Sequence, residues 1–577
     1  MASDNDSERG ERRHTERAIS LHESVSPDRW CVNWADLKYL KQEVRQAIKN
    51  GEITPPDDGS DDFLGTAENY GPSIYTVTDQ HIKPITQRAG KMSWALMRHP
   101  EGLDCDVFIS HAWQEGIFEF LSKVLHSRPR HARHAWCCML ANPQHLDIAA
   151  MLQSPRHSPF AVALEASTTV LVVPNRLCSV YTRLWCAYEA YLAQEQGKII
   201  LIARASNWRR VCNAMWYMAL AAFVGSALAV LLDFQGWTRY VNLGVTCVAA
   251  IAGVGSMVTA KNTLRVALNF IGEVMCWYLV VEWDTVGGLY SRHPSPFLDY
   301  VAAVTQRAWI VCLAATFFLL EVDRINSEVT GWEAQQLARG YTGSIVHATC
   351  SRPEDDEAIR REIGGTVEAV DYAIQVLMSA GMSTPTLREV AARGVCIHQA
   401  ANPAIALPML LLGPFLMLTF VTLIFDSIYL RDSNPEWFAR LLPLRATTVL
   451  QRVIMLLKIR CSPRDERCYI YLVIQKCATV YLAFITPAMV KCQLNGYLSY
   501  DSTSTWFLIP PIAYSTMLAF VMLGFRRTAN LPCGLYLLQM FLARGFRTLF
   551  MTTTGCGAPP NEDSESDSES EIGTDTS

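Results

Sequence analysis

The first 17 residues, MASDNDSERGERRHTER, contain no apolar run. A cleavable secretory signal needs one, so the N-terminal part is expected to stay cytosolic and any membrane-insertion signal to be internal. No two of the 18 cysteines are spaced as CxxC, and many stand singly in apolar stretches, among them Cys247, Cys276, Cys312 and Cys477. That usage excludes a disulfide-stapled scaffold and fits a reducing compartment in which thiols serve as small core groups. Charge is scarce as well: Asp, Glu, Lys and Arg make up 18% of 577 residues, and the mean hydropathy is +0.12. A disordered or fibrous chain is therefore excluded, and the length leaves room for two to four domains. The net charge of −5 owes much to 561–577, which hold seven acids and no base. Nothing in that balance argues for a nucleic-acid partner.

What is present divides the chain by composition. Residues 1–72 read as a flexible polar region with one amphipathic helix from Trp34 to Ile48, where Leu37, Leu40, Val44 and Ile48 fall at helical spacing. Over 73–208, β-branched runs alternate with helical stretches: DVFIS (106–110), TTVLVV (168–173) and IILI (199–202) as strands, 118–125 and 185–194 as helices. Continuous apolar strands between helices predict an α/β domain, a parallel sheet with helices on both faces.

The regions 209–320 and 401–550 predict an all-α, multi-pass transmembrane part held by membrane lipids. Charge-free stretches at 211–232, 240–260, 404–425 and 502–525 are each long enough to cross about 30 Å of hydrocarbon. Three more carry one ionisable residue each: Glu273 in 266–281, Arg307 in 301–320 and Lys476 in 468–490. A central charge costs roughly 2.5–3.5 kcal/mol, which a long apolar helix absorbs. Glu273 and Lys476, a deep acid and a deep base, could pair or line a conduit; they support an alternative reading as a transporter or channel with a cytosolic regulatory domain. Spacings such as Ala249/Gly253 mark close helix packing.

The eight Lys and Arg of 426–467 place that segment, read as a loop, in the cytosol. Parity then requires one earlier stretch not to span, and Glu273 marks 266–281 as that stretch. Six spans with both ends inside result, with seven or eight as alternatives. The soluble helical segment 321–400 falls outside under this parity, although a loop of that length reports orientation poorly and either side stays open. In it, Ser351-x-x-Glu354 reads as a capping box opening a helix with Ile359, Ile363, Val367, Val370, Ile374 and Leu377 on one face. The acidic tail 551–577 is expected to be disordered and, when phosphorylated, could dock on Arg128–His134 or on 426–467.

Four blocks run in order through the α/β domain: FISHAW (108–113), WCCMLANPQ (136–144), SPFAVAL (158–164) and RLWCAYE (183–189). Together they resemble a group of algal and protist proteins built on SHxW, WxC…ANxQ, SPFxxAL and RxWCxYE. Through DVFISH in the first strand and WCxxE on a later helix, that group resembles the TIR (Toll/interleukin-1 receptor) fold. The resemblance covers about 73–206, and the membrane half resembles no recognised family. It implies a signalling domain that self-associates or cleaves a nucleotide. NAD is then the implied substrate and Glu189 the catalytic residue, stabilising an oxocarbenium-like state as nicotinamide leaves. No further cofactor is implied.

Read from the residues themselves, Trp185 and Glu189 share one helix face at i, i+4. Equally, Trp185 and Cys186 can be core while Glu189 pairs with Arg183 or caps the helix. Ser110, His111 and Trp113 follow the first strand and so border the crevice at the carboxyl ends of a parallel sheet, with Asn142 and Gln144 facing it from the next strand. An indole, an imidazole and two amides suit a nucleotide or a sugar, and the same groups can instead satisfy loop backbone. A Ser110/His111 hydrolase is unfavourable because adjacent strand side chains point to opposite faces. Where many TIR-like sequences carry an acid or a Gly-rich loop, this chain has Cys137, Cys138 and Ala141-Asn142-Pro143. His131-x-x-His134-x-x-Cys137 lacks a fourth ligand for zinc and reads as a solvated basic loop, with no metal expected.

Overall fold

The structure, a computed structural model, describes residues 15–63, 70–146, 154–177, 179–232, 238–259, 261–286, 296–402, 404–433, 435–494 and 508–542. The tail 551–577 and its docking lie outside them. Residues 15–24 are helical, and Trp30 is 3% exposed with its indole N–H donated to the Val25 carbonyl at 2.8 Å. The stretch 15–30 is therefore folded onto the domain rather than flexible.

Six strands form one sheet: β1 (Val32–Asn33), β2 (Val107–Ser110), β3 (His134–Cys137), β4 (Thr169–Val172), β5 (Ile199–Ile202) and β6 (Met382–Ser383), in the spatial order β1-β3-β2-β4-β5-β6. The inner four are parallel, with Phe108 opposite both Trp136 and Val170, and Val170 opposite Ile200. The sheet is mixed rather than wholly parallel, because β1 and β6 close its edges antiparallel. Two-residue strands are too short to show any alternation, so the sequence pattern could not announce them.

Val107, Ile109, Leu171 and Leu201 pack on one face with Leu37, Leu40, Phe120 and Leu121. Phe108, Trp136, Val170 and Ile200 pack on the other with Leu164, Leu184 and Leu192. The helices that supply these covers are α1 (Trp34–Lys49), α2 (Ile117–Ser127), α3 (Pro159–Ala166) and α4 (Leu184–Glu195). Burial on both faces is why the strands read as unbroken apolar runs.

After β5 the chain enters α5 (Trp208–Leu231), α6 (Thr238–Val258), α7 (Asn262–Val286) and α8 (Pro296–Ala338). Among the described residues five helices are long and apolar enough to cross a bilayer: Trp208–Leu231, Tyr240–Val258, Asn262–Glu282, Ala406–Ile424 and Ile509–Ala529. Four coincide with the charge-free stretches. The fifth contains Glu273, so the stretch set aside by parity is a full-length apolar helix. Its acid is accommodated locally, since Glu273 accepts the Trp277 indole N–H at 2.9 Å, one turn along the same helix.

Close approach of α7 to its neighbours depends on glycine. A Cβ on Gly225 would overlap the Val274 carbonyl, and one on Gly272 would overlap the Phe317 ring of α8. Gly272→Ala is accordingly expected to cost about 1–3 kcal/mol in denaturant unfolding of the detergent-solubilised chain. An unchanged midpoint would mean that α8 does not seat there.

The chain then returns to the sheet through α9 (Pro353–Ile363), α10 (Val367–Ala380) and β6. Ile359, Ile363, Val370, Ile374 and Leu377 share a buried cluster with α4 residues, which supplies the partner that their stripe demands. Segment 321–400 thus packs on the α/β domain, which does not fit the parity that set it apart, and the domain extends beyond 73–208 at both ends. The Ser351/Glu354 capping box does not form: Arg352 is the N-cap, without a side-chain cap, and Pro353 at N1 starts the helix with its fixed φ. A 3₁₀ turn at Gly364–Thr366 breaks the stripe into two helices.

The remaining helices are α11 (Ala406–Leu412), α12 (Pro414–Ser433), α13 (Pro435–Cys461), α14 (Arg464–Leu494) and α15 (Ile509–Ala529). Most of 426–467 is therefore helix rather than loop. Arg452 on α13 is 5% exposed, donates from Nη1 to the Phe415 carbonyl (2.5 Å) and Thr419 Oγ1 (2.8 Å), and lies over the Tyr514 ring. A segment that is mostly helix spreads its Lys and Arg along its length, so they cannot be counted together as one loop on one side.

Candidate functional site

At the carboxyl end of β2, Ser110 and His111 enter the interior, both buried. His111 Nδ1 lies 3.1 Å from Glu115 Oε1, and Nε2 lies 3.2 Å from Cys138 Sγ and 3.4 Å from Cys137 Sγ. Burial holds the imidazole far below its ordinary value, at about 3. It is neutral at physiological pH, with one ring nitrogen near the Glu115 carboxyl and the other within reach of both thiols. Burial also pushes the Cys138 thiol up to about 12, and the Trp113 indole N–H donates to its sulfur at 3.2 Å. A dry, protonated thiol beside a neutral imidazole is a structural network, not an activated nucleophile.

Glu189 sits beneath the same strand ends and is 5% exposed. Burial drives its carboxyl up to about 8, against the Ser110 hydroxyl and the Arg183 guanidinium, which favour the charged form. At neutral pH it is mainly the uncharged acid.

Above these groups a cleft of about 310 Å³ opens, lined by Tyr75, Gln114, Arg183, Trp185, Arg352 and Asp355 together with 349–351. Arg183 is the N-cap of α4, and its Nη1 donates to Tyr75 Oη at 3.1 Å and Gln114 Oε1 at 3.3 Å. The far wall is tied on by backbone: Leu184 N–H donates to the Thr349 carbonyl at 2.9 Å and Thr349 N–H to the Thr182 carbonyl at 2.8 Å. The Trp185 indole stacks on Phe160 at 5.2 Å and donates to Asp355 Oδ2 at 3.3 Å.

Of the residues expected from the sequence, Arg183 and Trp185 line the cleft. Ser110, His111, Trp113 and Glu189 do not appear in its lining. Asn142 and Gln144 hold their own loop: Asn142 N–H donates to the Cys138 carbonyl at 3.1 Å, and Gln144 Nε2 to the Asn142 carbonyl at 3.2 Å. Glu273 and Lys476 lie on α7 and α14, far along the chain from this site. His131 is exposed while Cys137 is buried, and among the described residues no His, Cys, Asp or Glu group could hold a metal ion. Tyr75, Gln114, Glu115, Arg352 and Asp355 were missed.

Compared with family models, curated proteins and solved structures, the chain matches none.

Proposed function

We propose that this chain is an integral membrane protein whose α/β domain, TIR-like by the resemblance of its four blocks, faces the cytosol and signals in concert with the helices. One observation carries this reading, the continuity of α8. Its 43 residues span about 64 Å at 1.5 Å per residue, twice the thickness of the hydrocarbon. Ile310, Ala314, Phe317 and Leu320 belong to the core of the helical bundle, and Leu337 to the core of the α/β domain. Between them Glu333 pairs with the buried Lys123 of α2 at 2.6 Å. A rigid helix with one end in each core passes displacement from one to the other, which a flexible tether cannot do.

Eight crossings, α5 to α8 and then α11/α12 to α15, return the chain to the domain's side wherever it contacts the domain. Arg526 Nε donates to Thr386 Oγ1 at 3.3 Å, and Arg204 Nη2 to the Ala401 carbonyl at 3.4 Å, both on that side. The helix ends there carry Arg209, Arg210, Lys261, Arg460, Arg464, Arg526 and Arg527, whereas the opposite ends carry Arg239, Arg431, Arg440 and Lys491. That excess supports a cytosolic domain side.

Assembly is favoured over NAD cleavage as the mode of action, because Glu189 is buried and uncharged. Transport has less support, since Glu273 is engaged by a tryptophan of its own helix. The test is sidedness of the full chain in sealed vesicles. Cys461 and Cys533 are both exposed. A membrane-impermeant maleimide should reach both from the side on which protease removes the N-terminus. Labelling of either from the opposite side alone would overturn the eight-crossing arrangement.

A further inference from the structure

We propose that the cleft between α4 and segment 349–355 binds a phosphorylated sugar. The chemistry of its walls is divided. Arg183 offers a guanidinium whose two side-chain partners, Tyr75 and Gln114, are both neutral. Arg352 adds an exposed second cation on the opposite lip. A guanidinium presents a planar fork suited to phosphate oxygens, and two arginines against the single carboxylate of Asp355 leave the cleft with a positive balance that an anionic phosphate complements.

The remaining groups suit hydroxyls. Asp355 is oriented by the Trp185 indole through Oδ2, which leaves Oδ1 as an acceptor. Gln114, Thr349 and Ser351 add donors and acceptors around the rim. Tyr75 and Trp185 provide flat apolar surface of the kind against which the C–H face of a sugar ring packs. More of the exposed lining is polar than apolar, which favours a polyhydroxylated ring over a purine or pyrimidine. A volume of about 310 Å³ sits at the lower end of the range of roughly 300–1,000 Å³ for small-molecule sites and is too small to enclose a dinucleotide. The site is independent of how α8 is coupled to the bundle.

The test is calorimetric titration of the full chain in phosphatidylcholine nanodiscs with glucose 6-phosphate, ribose 5-phosphate, glucose, inorganic phosphate and AMP. A sugar phosphate should bind saturably, with glucose and inorganic phosphate each about tenfold weaker or more. Arg352→Gln, at an exposed position, should weaken the sugar phosphate about fivefold or more without moving the melt. Asp355→Asn should weaken the sugar phosphate but leave inorganic phosphate unchanged. Tighter binding of AMP than of both sugar phosphates would overturn the proposal, as would equal affinity for inorganic phosphate, or no saturable binding by any probe. Repeating the titration with phosphatidylinositol phosphate in the disc separates the sources: unchanged affinity supports a soluble ligand, and competition assigns the same chemistry to a lipid headgroup.

Discussion

Lys123→Met is expected to destabilise the detergent-solubilised full chain by about 3–5 kcal/mol, the usual cost of removing one partner of a buried ion pair. Lys123 is 1% exposed, and its ammonium donates to Glu333 Oε2 (2.6 Å), Gln336 Oε1 (2.9 Å) and the Pro174 carbonyl (2.7 Å), with Glu119 Oε1 at 3.2 Å. Without it, two buried carboxylates, a buried amide and a carbonyl lose their shared donor. Attraction within the pair is not itself a large source of stability. Burial raises the Glu333 carboxyl above its ordinary value in spite of Lys123, so desolvation outweighs the favourable contacts.

It follows that removing both charges should hurt less than removing one. Lys123→Met/Glu333→Leu is expected to regain more than half of the single-variant loss in equilibrium denaturant unfolding. A single-variant loss below about 1 kcal/mol, or a double variant no better than the single, would show that the junction of α8 with the domain does not depend on this pair.

How far the sequence disclosed this arrangement depended on whether the signal was local. The inner strands at 107–110, 169–172 and 199–202 were readable because both of their faces are buried, which leaves unbroken β-branched runs. β3 carried no such run, because His134-Ala-Trp-Cys137 lacks β-branched residues; only the WCCMLANPQ block hinted at a neighbouring strand, and its bounds are set by pairing with β2 on one side and β1 on the other. The spans were readable from length and apolarity alone. Their sidedness was not, because the positive-inside rule was applied to 426–467 as one loop, and most of that segment is helix. Arg183 and Trp185 were found through a local motif. Tyr75, Arg352 and Asp355 reach the cleft from more than a hundred residues away on either side, and no periodicity encodes that meeting.

Glu189 is where local motif and tertiary burial conflict, and pH separates them. A carboxyl whose value in the folded chain is about 8, against 4.5 unperturbed, favours the protonated form on folding. Its contribution is fully present below about pH 4.5 and is lost as pH rises to 8, because the unfolded chain releases a proton that the folded chain keeps. At 1.36 kcal/mol per unit the loss is on the order of 5 kcal/mol. Glu189→Gln keeps the shape of the neutral acid and does not titrate. The variant should therefore match the wild type near pH 4.5 and exceed it by roughly 5 kcal/mol near pH 8.5 in denaturant unfolding, where the difference between the two proteins cancels all other titrating groups. A difference that stays flat across this range would mean that the carboxylate is stabilised and charged in the fold, as an oxocarbenium-stabilising glutamate must be. The same neutral carboxyl predicts that the full chain with NAD at pH 7 releases no more nicotinamide than the Glu189→Gln variant. Turnover lost on that substitution would restore the nucleotide-cleaving role and set assembly aside as the sole mode of action.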